Sequence, residues 1–178
     1  CDLNDVWVGD ITDMSYMFDE IKFNGDISRW DVSNVESMYA MFYSCPFDGD
    51  ISNWDVSKVV DMGWMFKKSD FDGDISRWDV GNVKSMAAMF CESIFNGDIS
   101  DWNVGNVENM ISMFKGSEFN GDISDWDVRN VITMSYMFYN SDFDGDINRW
   151  DVRRLGKMDW MVKGCPLENN PPKWYKED

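Results

Sequence analysis

The sequence predicts a repeat solenoid in which each unit of 24 residues contributes one short parallel β-strand and one short helix or 3₁₀ turn. Glycine recurs at a constant interval, 49 − 25 = 24 residues, and tryptophan and methionine recur in the same register without any insertion. The recurring residues are Gly25, Gly49, Gly73, Gly97, Gly121 and Gly145; Trp30, Trp54, Trp78, Trp102, Trp126 and Trp150; and Met17, Met41, Met65, Met89, Met113, Met137 and Met161.

The strand of each unit is predicted from alternation. Trp30 and Val32 are apolar and flank the charged Asp31, and this period of two is the pattern of a short, half-buried strand. The tryptophan and the valine are therefore expected to point inward, and the aspartate outward.

The helical turn of each unit is predicted from a different spacing. Met38, Met41 and Phe42 stand at i, i+3 and i+4, which places three apolar side chains on one face of a helical turn. Each unit therefore reads as a strand, a corner, a short helix or 3₁₀ turn and a second corner.

The units are predicted to stack, because one unit of this size cannot bury its own aromatic residues. Stacking in register places like residues in ladders along the axis. One ladder is expected to contain Phe23, Phe47, Phe71, Phe95, Phe119, Phe143 and Leu167, and another the tryptophans. We expect a single solenoid domain over 1–178, with about six full repeats in 23–166 and degenerate repeats in 1–22 and 167–178. The whole domain could be part of a longer array.

The unit resembles two related repeat classes. Ile27-x-x-Trp30-x-Val32 is similar to the start of a leucine-rich repeat, and the segment 35–45 resembles the later half of the BspA-like class. The stretch 23–42 also resembles a bacterial surface protein repeat of about 26 residues. This resemblance covers roughly 6–174; it implies a leucine-rich-repeat-like fold, a cell-surface location and adhesion or partner binding, and it supplies no catalytic residues.

The charge balance excludes some classes of partner. Sixteen Lys and Arg stand against 33 Asp and Glu, a formal net charge of −17. Nucleic acids and anionic membrane surfaces are bound through clustered cations, so neither is expected as a partner. The chain has no histidine, and its carboxylates sit in repeated, near-identical contexts, so we expect no enzyme activity and no cofactor.

A ladder of aspartates follows the glycines and has two interpretations. It contains Asp26, Asp50, Asp74, Asp98, Asp122 and Asp146. Each carboxylate could cap its own turn by accepting backbone N–H bonds. Alternatively, the ladder could bind calcium, as other glycine-rich repeats do.

The candidate partner-binding surface is the predicted outer face of the strands. Its residues change in charge along the axis, which could read out a partner, although a solvated face of weak ion pairs would look the same. The candidates are Arg29, Asp31, Asn53, Asp55, Arg77, Asp79, Asp101, Asn103, Asp125, Asp127, Arg149 and Asp151.

Cys45, Cys91 and Cys165 are not expected to form disulfides with one another. Cys45 and Cys165 share a register but lie five repeats apart, beyond disulfide reach, and Cys91 is out of register with both, so all three are expected to be small buried residues. Cys1 could carry the lipid of a bacterial lipoprotein, which would be the only membrane attachment. The fourteen methionines are expected in the core and not as ligands of a soft metal.

These observations predict a cell-surface or secreted module, extracellular in location, that presents a repeat surface to a protein or glycan partner. Two alternatives stay open. The chain could assemble head to tail into extracellular filaments, because heterologous contacts of this kind need not close. It could also be a solenoid stabilised by calcium.

Overall fold

The backbone of the protein is built almost entirely from turns. The computed structural model describes residues 2–176, and within this range the helical structure is one 3₁₀ helix, Pro166–Asn169. Contacts of β type in the same range are isolated parallel bridges. The predicted fold class, a leucine-rich-repeat-like solenoid with one strand and one helix or 3₁₀ turn in each repeat, is therefore wrong. Cys1, the predicted lipid site, lies outside the described residues.

The 24-residue units nevertheless lie against one another in register. Each bridge joins a residue to its equivalent 24 positions later, and six of them form one continuous series. The series is Asp13 to Ser37, Ser37 to Asp61, Asp61 to Ser85, Ser85 to Asn109, Asn109 to Thr133 and Thr133 to Lys157. One unit is thus one coil of the backbone, which returns beside its starting point after 24 residues.

The segment predicted as a helical turn is a run of β-turns, which we call the turn run: residues 38–45 and their equivalents at intervals of 24. Ala40 and Ser44 have left-handed φ angles of 53° and 51°, and equivalent residues in the other repeats share this conformation. A right-handed helix cannot contain these angles. The buried pattern of Met38, Met41 and Phe42, all fully buried, is instead produced by turns.

The backbone hydrogen bonds of the turn run explain why no helix forms. The N–H groups of Met38, Ala40, Phe42 and Ser44 donate to carbonyls of the following repeat, at 2.8–3.0 Å. The N–H groups of Met41, Tyr43 and Cys45 donate to carbonyls three residues earlier, at 3.2–3.3 Å, and the Tyr39 N–H donates to the Ser37 hydroxyl oxygen at 3.4 Å. Every donor between 38 and 45 is thereby used by its neighbours or by its own turn, and none is left for a helical i to i−4 bond.

The segment predicted as a strand also consists of turns. The Trp30 N–H donates to the Ile27 carbonyl at 3.1 Å, and the Val35 N–H donates to the Val32 carbonyl at 2.9 Å. The predicted alternation of burial is confirmed, since Trp30 and Val32 are buried and Asp31 is exposed. The bonds of these residues close local turns, however, and do not pair with a neighbouring strand.

The core consists of aromatic ladders, as the spacing predicts. Phe23, Phe47 and their equivalents to Phe143 stack with ring centroids 5.9–6.4 Å apart. A second ladder, from Phe18 and Phe42 to Phe138, stacks at 5.4–5.8 Å. Most methionines are also fully buried in this core, which confirms that they are packing residues.

The tryptophan ladder adds a hydrogen bond to each repeat. The indole Nε1–H of Trp54 donates to the Ile27 carbonyl of the preceding repeat at 3.2 Å, and the equivalent indoles make the same bond. Trp30 to Trp150 are at most 7% exposed. The ladder therefore packs inward and offers no surface on which a ligand could stack.

The recurring glycine is required by a close approach. A Cβ atom at Gly49 would lie 2.8 Å from Cε2 of Phe47, and one at Gly73, Gly97, Gly121 or Gly145 would meet the ring of the phenylalanine two residues earlier in the same way. The side chain that is missing at this position makes room for the phenylalanine ladder.

Three cysteines are buried, as expected. Cys45 and Cys165 occupy the position at which four other repeats place a buried serine, Ser69, Ser93, Ser117 and Ser141. Cys45 Sγ donates to the Phe23 carbonyl at 3.3 Å, so it serves there as a small hydrogen-bonding residue. Burial raises the pKa of Cys91, which keeps that thiol protonated.

Candidate functional site

The predicted partner-binding residues all reach the surface. Eleven of the twelve candidates, from Arg29 to Arg149, are exposed, and Asp151 is half-buried. We call the surface formed by these twelve residues the cap face, because the series that begins with Asp31 caps turns of the backbone. The Oδ1 atom of Asp31 accepts the Ser33 N–H at 3.1 Å, and the equivalent Asp or Asn residues up to Asp151 accept the N–H two residues later at 3.0–3.3 Å.

The remaining candidates on the cap face are the residues equivalent to Arg29. They vary among Arg, Asn and Asp along the axis. The Nη1 atom of Arg149 lies 3.9 Å from Oδ1 of Asp125. Both side chains of this pair are more than four-fifths exposed, so the pair contributes little to stability. Their part in partner binding stays a prediction.

The aspartate ladder after the glycines caps turns, which confirms the first of its two interpretations. The Oδ1 atoms of Asp26, Asp50 and their equivalents accept the N–H two residues later at 2.9–3.0 Å. The backbone N–H of Ser28 is the main cause that lowers the pKa of Asp26 to about 2. Within residues 2–176, no group of three or more acidic or cysteine side chains is arranged to hold a metal ion.

A second polar ladder, which the sequence analysis missed, joins the repeats to one another. Its members are Asn24, Asp48, Asp72, Asn96, Asn120 and Asp144. The side-chain Oδ1 of each of the first five accepts the backbone N–H of the next member at 2.9–3.1 Å. The signal was in the sequence, since only Asn or Asp follows the phenylalanine in these six repeats.

The lowered pKa values of the capping aspartates predict that the stability of the fold depends on pH. The pKa of Asp50 is lowered by the Ser52 N–H and hydroxyl group. A carboxylate with a lowered pKa stabilises the fold above its unfolded pKa, and this stabilisation is lost as the pH falls through the folded pKa. Since the pKa of Asp26 is about 2 and many equivalent groups are lowered, we expect the Tm to fall between about pH 4 and pH 2, measured by thermal melts monitored by tryptophan fluorescence.

Two variants of Asp50 provide the control. Asp50→Asn retains the acceptor oxygen, and Asn103 on the cap face shows that an amide oxygen can accept the N–H two residues later, so the Tm of this variant at pH 7 should stay near that of the wild type with a weaker pH dependence. Asp50→Ala removes the acceptor and should melt lower at pH 7. Equal melting of the two variants at pH 7 would contradict the capping role.

A different surface, the turn face, carries the exposed aromatic residues. We define it as the positions of the turn runs equivalent to 39, 40, 43 and 44, where large side chains reach the surface and small ones, such as Ala40, are buried. The first cluster on it contains Tyr16, Tyr39, Tyr43 and Trp64, with successive ring centroids 5.4–6.1 Å apart. The ammonium of Lys67 lies over it, 3.7 Å from the Trp64 ring centroid and 5.7 Å from that of Tyr43.

A second cluster, with one tyrosine fewer, lies further along the turn face. Tyr136, Tyr139 and Trp160 have ring centroids 5.7–6.4 Å apart. Lys115 places its ammonium 5.9 Å from the Tyr136 centroid and 5.5 Å from that of Tyr139. Each cluster therefore combines tyrosines, one tryptophan and one lysine.

The two intervening repeats separate the clusters with small side chains in one column of equivalent residues. At the position of Trp64 and Tyr136 they place Ala88 and Ser112. At the position of Lys67 the first of them places Cys91 and the second places Lys115. We call the row of small side chains between the two aromatic walls, with Lys115 beside it, the trough.

A signal for these clusters was present in the sequence. All twelve phenylalanines belong to the buried ladders, whereas five of the six tyrosines lie on the turn face. Of the ten tryptophans, Trp7, Trp64 and Trp160 fall outside the ladder register, and Trp64 and Trp160 differ by 160 − 64 = 96, four repeats. Aromatic residues that break the repeat mark a role that the scaffold does not require.

Comparison with known proteins relates the chain to one family. A family model described as "Mycoplasma protein of unknown function, DUF285" matches residues 2–94 and again 68–174. The two matches overlap, as expected for a repeated motif. Neither the curated proteins nor the solved structures contain a match. Among residues 2–176 no helix has the length and apolar character needed to span a membrane.

Proposed function

Since the chain belongs to the family of Mycoplasma proteins described as DUF285, repeat-containing proteins of unknown function, we propose that it is a non-catalytic binding module that uses its turn face to contact a partner. The partner is an extracellular protein or a glycan. The proposal includes a place at the cell surface or outside the cell, and a role in adhesion.

The observation that carries the proposal is the exposure of the aromatic clusters. Tyr16 is 57% exposed, Trp160 is 52% exposed and Tyr136 is 37% exposed. Tryptophan and tyrosine contribute most of the free energy of many interfaces, because they bury a large rigid surface at low entropic cost. Exposed tryptophan and tyrosine rings gathered in two clusters are therefore typical of a binding surface.

The scaffold does not need these rings, which supports a role outside folding. Trp64 and Trp160 occupy a position at which other repeats carry Ala40 and Ala88. Both alanines adopt the same left-handed conformation as the tryptophans, with φ of 52–60°. The backbone thus forms the same turn with a methyl group as with an indole.

The closer relationship to the bacterial surface protein repeats is part of this proposal. It rests on the motif Phe-Asn-Gly-Asp-Ile-Ser-x-Trp-Asp-Val in residues 23–32 and its copies. That resemblance implies a cell-surface location and a role in adhesion or partner binding, and the same role is proposed for this chain.

The test is a binding screen of the intact chain on arrays of extracellular proteins and of glycans. We expect a turn-face variant, Trp64→Ala with Trp160→Ala, to lose about tenfold or more of the affinity for any partner found. Trp7→Ala is the matched control, because Trp7 is 74% exposed, has Asp31 as its equivalent in the next repeat and so belongs to the cap face.

A third variant separates the two candidate surfaces. Changing Arg29, Arg77 and Arg149 to serine alters the cap face and leaves the turn face intact. If this variant loses binding while the turn-face variant retains it, the cap face is the binding surface and the turn-face proposal is wrong. If no array component binds the wild type, the binding function itself is wrong.

A further inference from the structure

We propose that the trough between the two aromatic clusters binds an anionic oligosaccharide. This inference rests on the proposed function and identifies the partner of the turn face. In the column of equivalent residues, Trp64 is followed by Ala88 and Ser112 and then by Tyr136. The Trp64 side of one cluster and the Tyr136 side of the other therefore bound the trough at its two ends.

The charge of the trough favours an anion, although the protein carries a net charge of −17. Lys67 lies beside the Trp64 wall and Lys115 lies in the second intervening repeat, and within residues 2–176 neither forms an ion pair with a carboxylate. Their ammonium groups lie over aromatic rings instead. The one acidic residue in the turn runs of the two intervening repeats, Glu92, is 3.5 Å from Lys68 and is neutralised by it.

Aromatic rings can hold these lysines ready for an anionic ligand. The attraction between a cation and a ring face is weak at an exposed site. It is weaker than a charge-assisted hydrogen bond to a carboxylate or sulfate. The lysines can therefore turn from the rings to an arriving anion, and the rings then become free to stack on the ligand.

The chemistry of the walls favours sugar rings over a protein partner. The walls contain tyrosine and tryptophan, whose flat faces stack on the C–H faces of a pyranose and whose polar atoms bond to hydroxyl groups. A surface that binds a protein would be expected to add exposed aliphatic side chains. Among the positions that define the trough, these are limited to Ile111, which is 36% exposed. The floor is formed by Ala87, Ala88, Cys91 and Ser112.

The length of the trough suits an oligosaccharide. Trp64 and Tyr136 lie three repeats apart, about 14 Å at the spacing of bridged parallel backbones. This is roughly the extended length of a tri- or tetrasaccharide. A single sugar can contact one wall only, whereas an oligosaccharide can contact both walls and both lysines.

The experiment measures binding of the whole chain to hyaluronan, oligogalacturonate and sialylated oligosaccharides, with neutral chitotetraose and cellotetraose beside them, by glycan array and calorimetry. We expect acidic tetrasaccharides to bind, with an affinity that falls as the salt concentration is raised. The corresponding monosaccharides should bind with an affinity lower by about tenfold or more. Lys67→Gln with Lys115→Gln should lower the affinity about tenfold or more. Trp64→Ala with Tyr136→Ala should do the same.

Two controls and the outcomes decide the inference. Trp7→Ala and Lys58→Gln change an exposed ring and an exposed lysine elsewhere, and both should bind like the wild type. If neutral glycans bind as well as acidic ones, or if the lysine variant binds normally, the inference is overturned. If proteins bind through the turn face and no glycan does, the inference fails while the proposed function stands; if nothing binds, both fail.

Discussion

Replacing Phe90 with alanine is expected to lower the free energy of unfolding by about 3–5 kcal/mol. Phe90 is fully buried and lies in the centre of the phenylalanine ladder. Its ring centroid is 4.2 Å from Phe95, 5.8 Å from Phe66 and 5.8 Å from Phe114. The substitution would open a cavity against three other rings, and the bridged backbone on both sides limits how far the neighbours can close it.

The measurement is chemical unfolding followed by tryptophan fluorescence. Ile94→Ala, four residues later in the same repeat, is the control, because Ile94 is 43% exposed and its loss should change the free energy of unfolding by about 0.5 kcal/mol or less. Equal losses for the two variants would show that the ladder does not form the core.

Deleting residues 71–94, one complete unit, is expected to preserve the fold. Each unit contacts only its neighbours, so the flanking units should meet in the same register. The Met62 N–H, which donates to the Ser85 carbonyl at 3.0 Å, would then donate to the carbonyl of Asn109, the equivalent residue one repeat later. We expect a cooperative melt and a Tm within a few degrees of the wild type.

Deleting half a unit, residues 71–82, is the matched control and is expected to abolish the cooperative melt. The shift of half a coil would place Asp98 and Asp101 in the columns of Met62 and Met65, which are fully buried. Burying unpaired carboxylates costs several kcal/mol each. If both deletions melted alike, the register between coils would not control folding.

The repeat and its buried positions could be predicted from the sequence, and the backbone conformation could not. Burial follows from which side chains recur, so the ladders of Phe47 and Trp54 were predicted correctly. The same spacing fits both a helical turn and a run of β-turns, because each can place residues 38, 41 and 42 on one side. The two conformations differ in the left-handed φ of Ala40 and in the backbone hydrogen bonds that the turns make to the next repeat. The sequence signals neither feature, because these left-handed angles are adopted mostly by residues other than glycine.

The candidate surfaces divide in a similar way. The exposure of the cap face and the turn caps at Asp26 follow from alternation and from the preference of Asp for turns. The turn face was not predicted, because its tyrosines do not recur with the period of the repeat. Its clusters depend on bringing Tyr43 and Trp64 together across a junction, which requires the register of the coils and not the spacing within one unit.

The hydrogen bonds that join successive turn runs also determine how the protein responds to force. Four backbone bonds cross each junction between turn runs along the stack, as from Met38, Ala40, Phe42 and Ser44 to the next coil. Tension along that direction loads all four together, so they must break at the same moment. Each coil that gives way then releases 24 residues, about 80 Å of extended chain. A tether built in this way would lengthen in equal steps under load and dissipate work at each one.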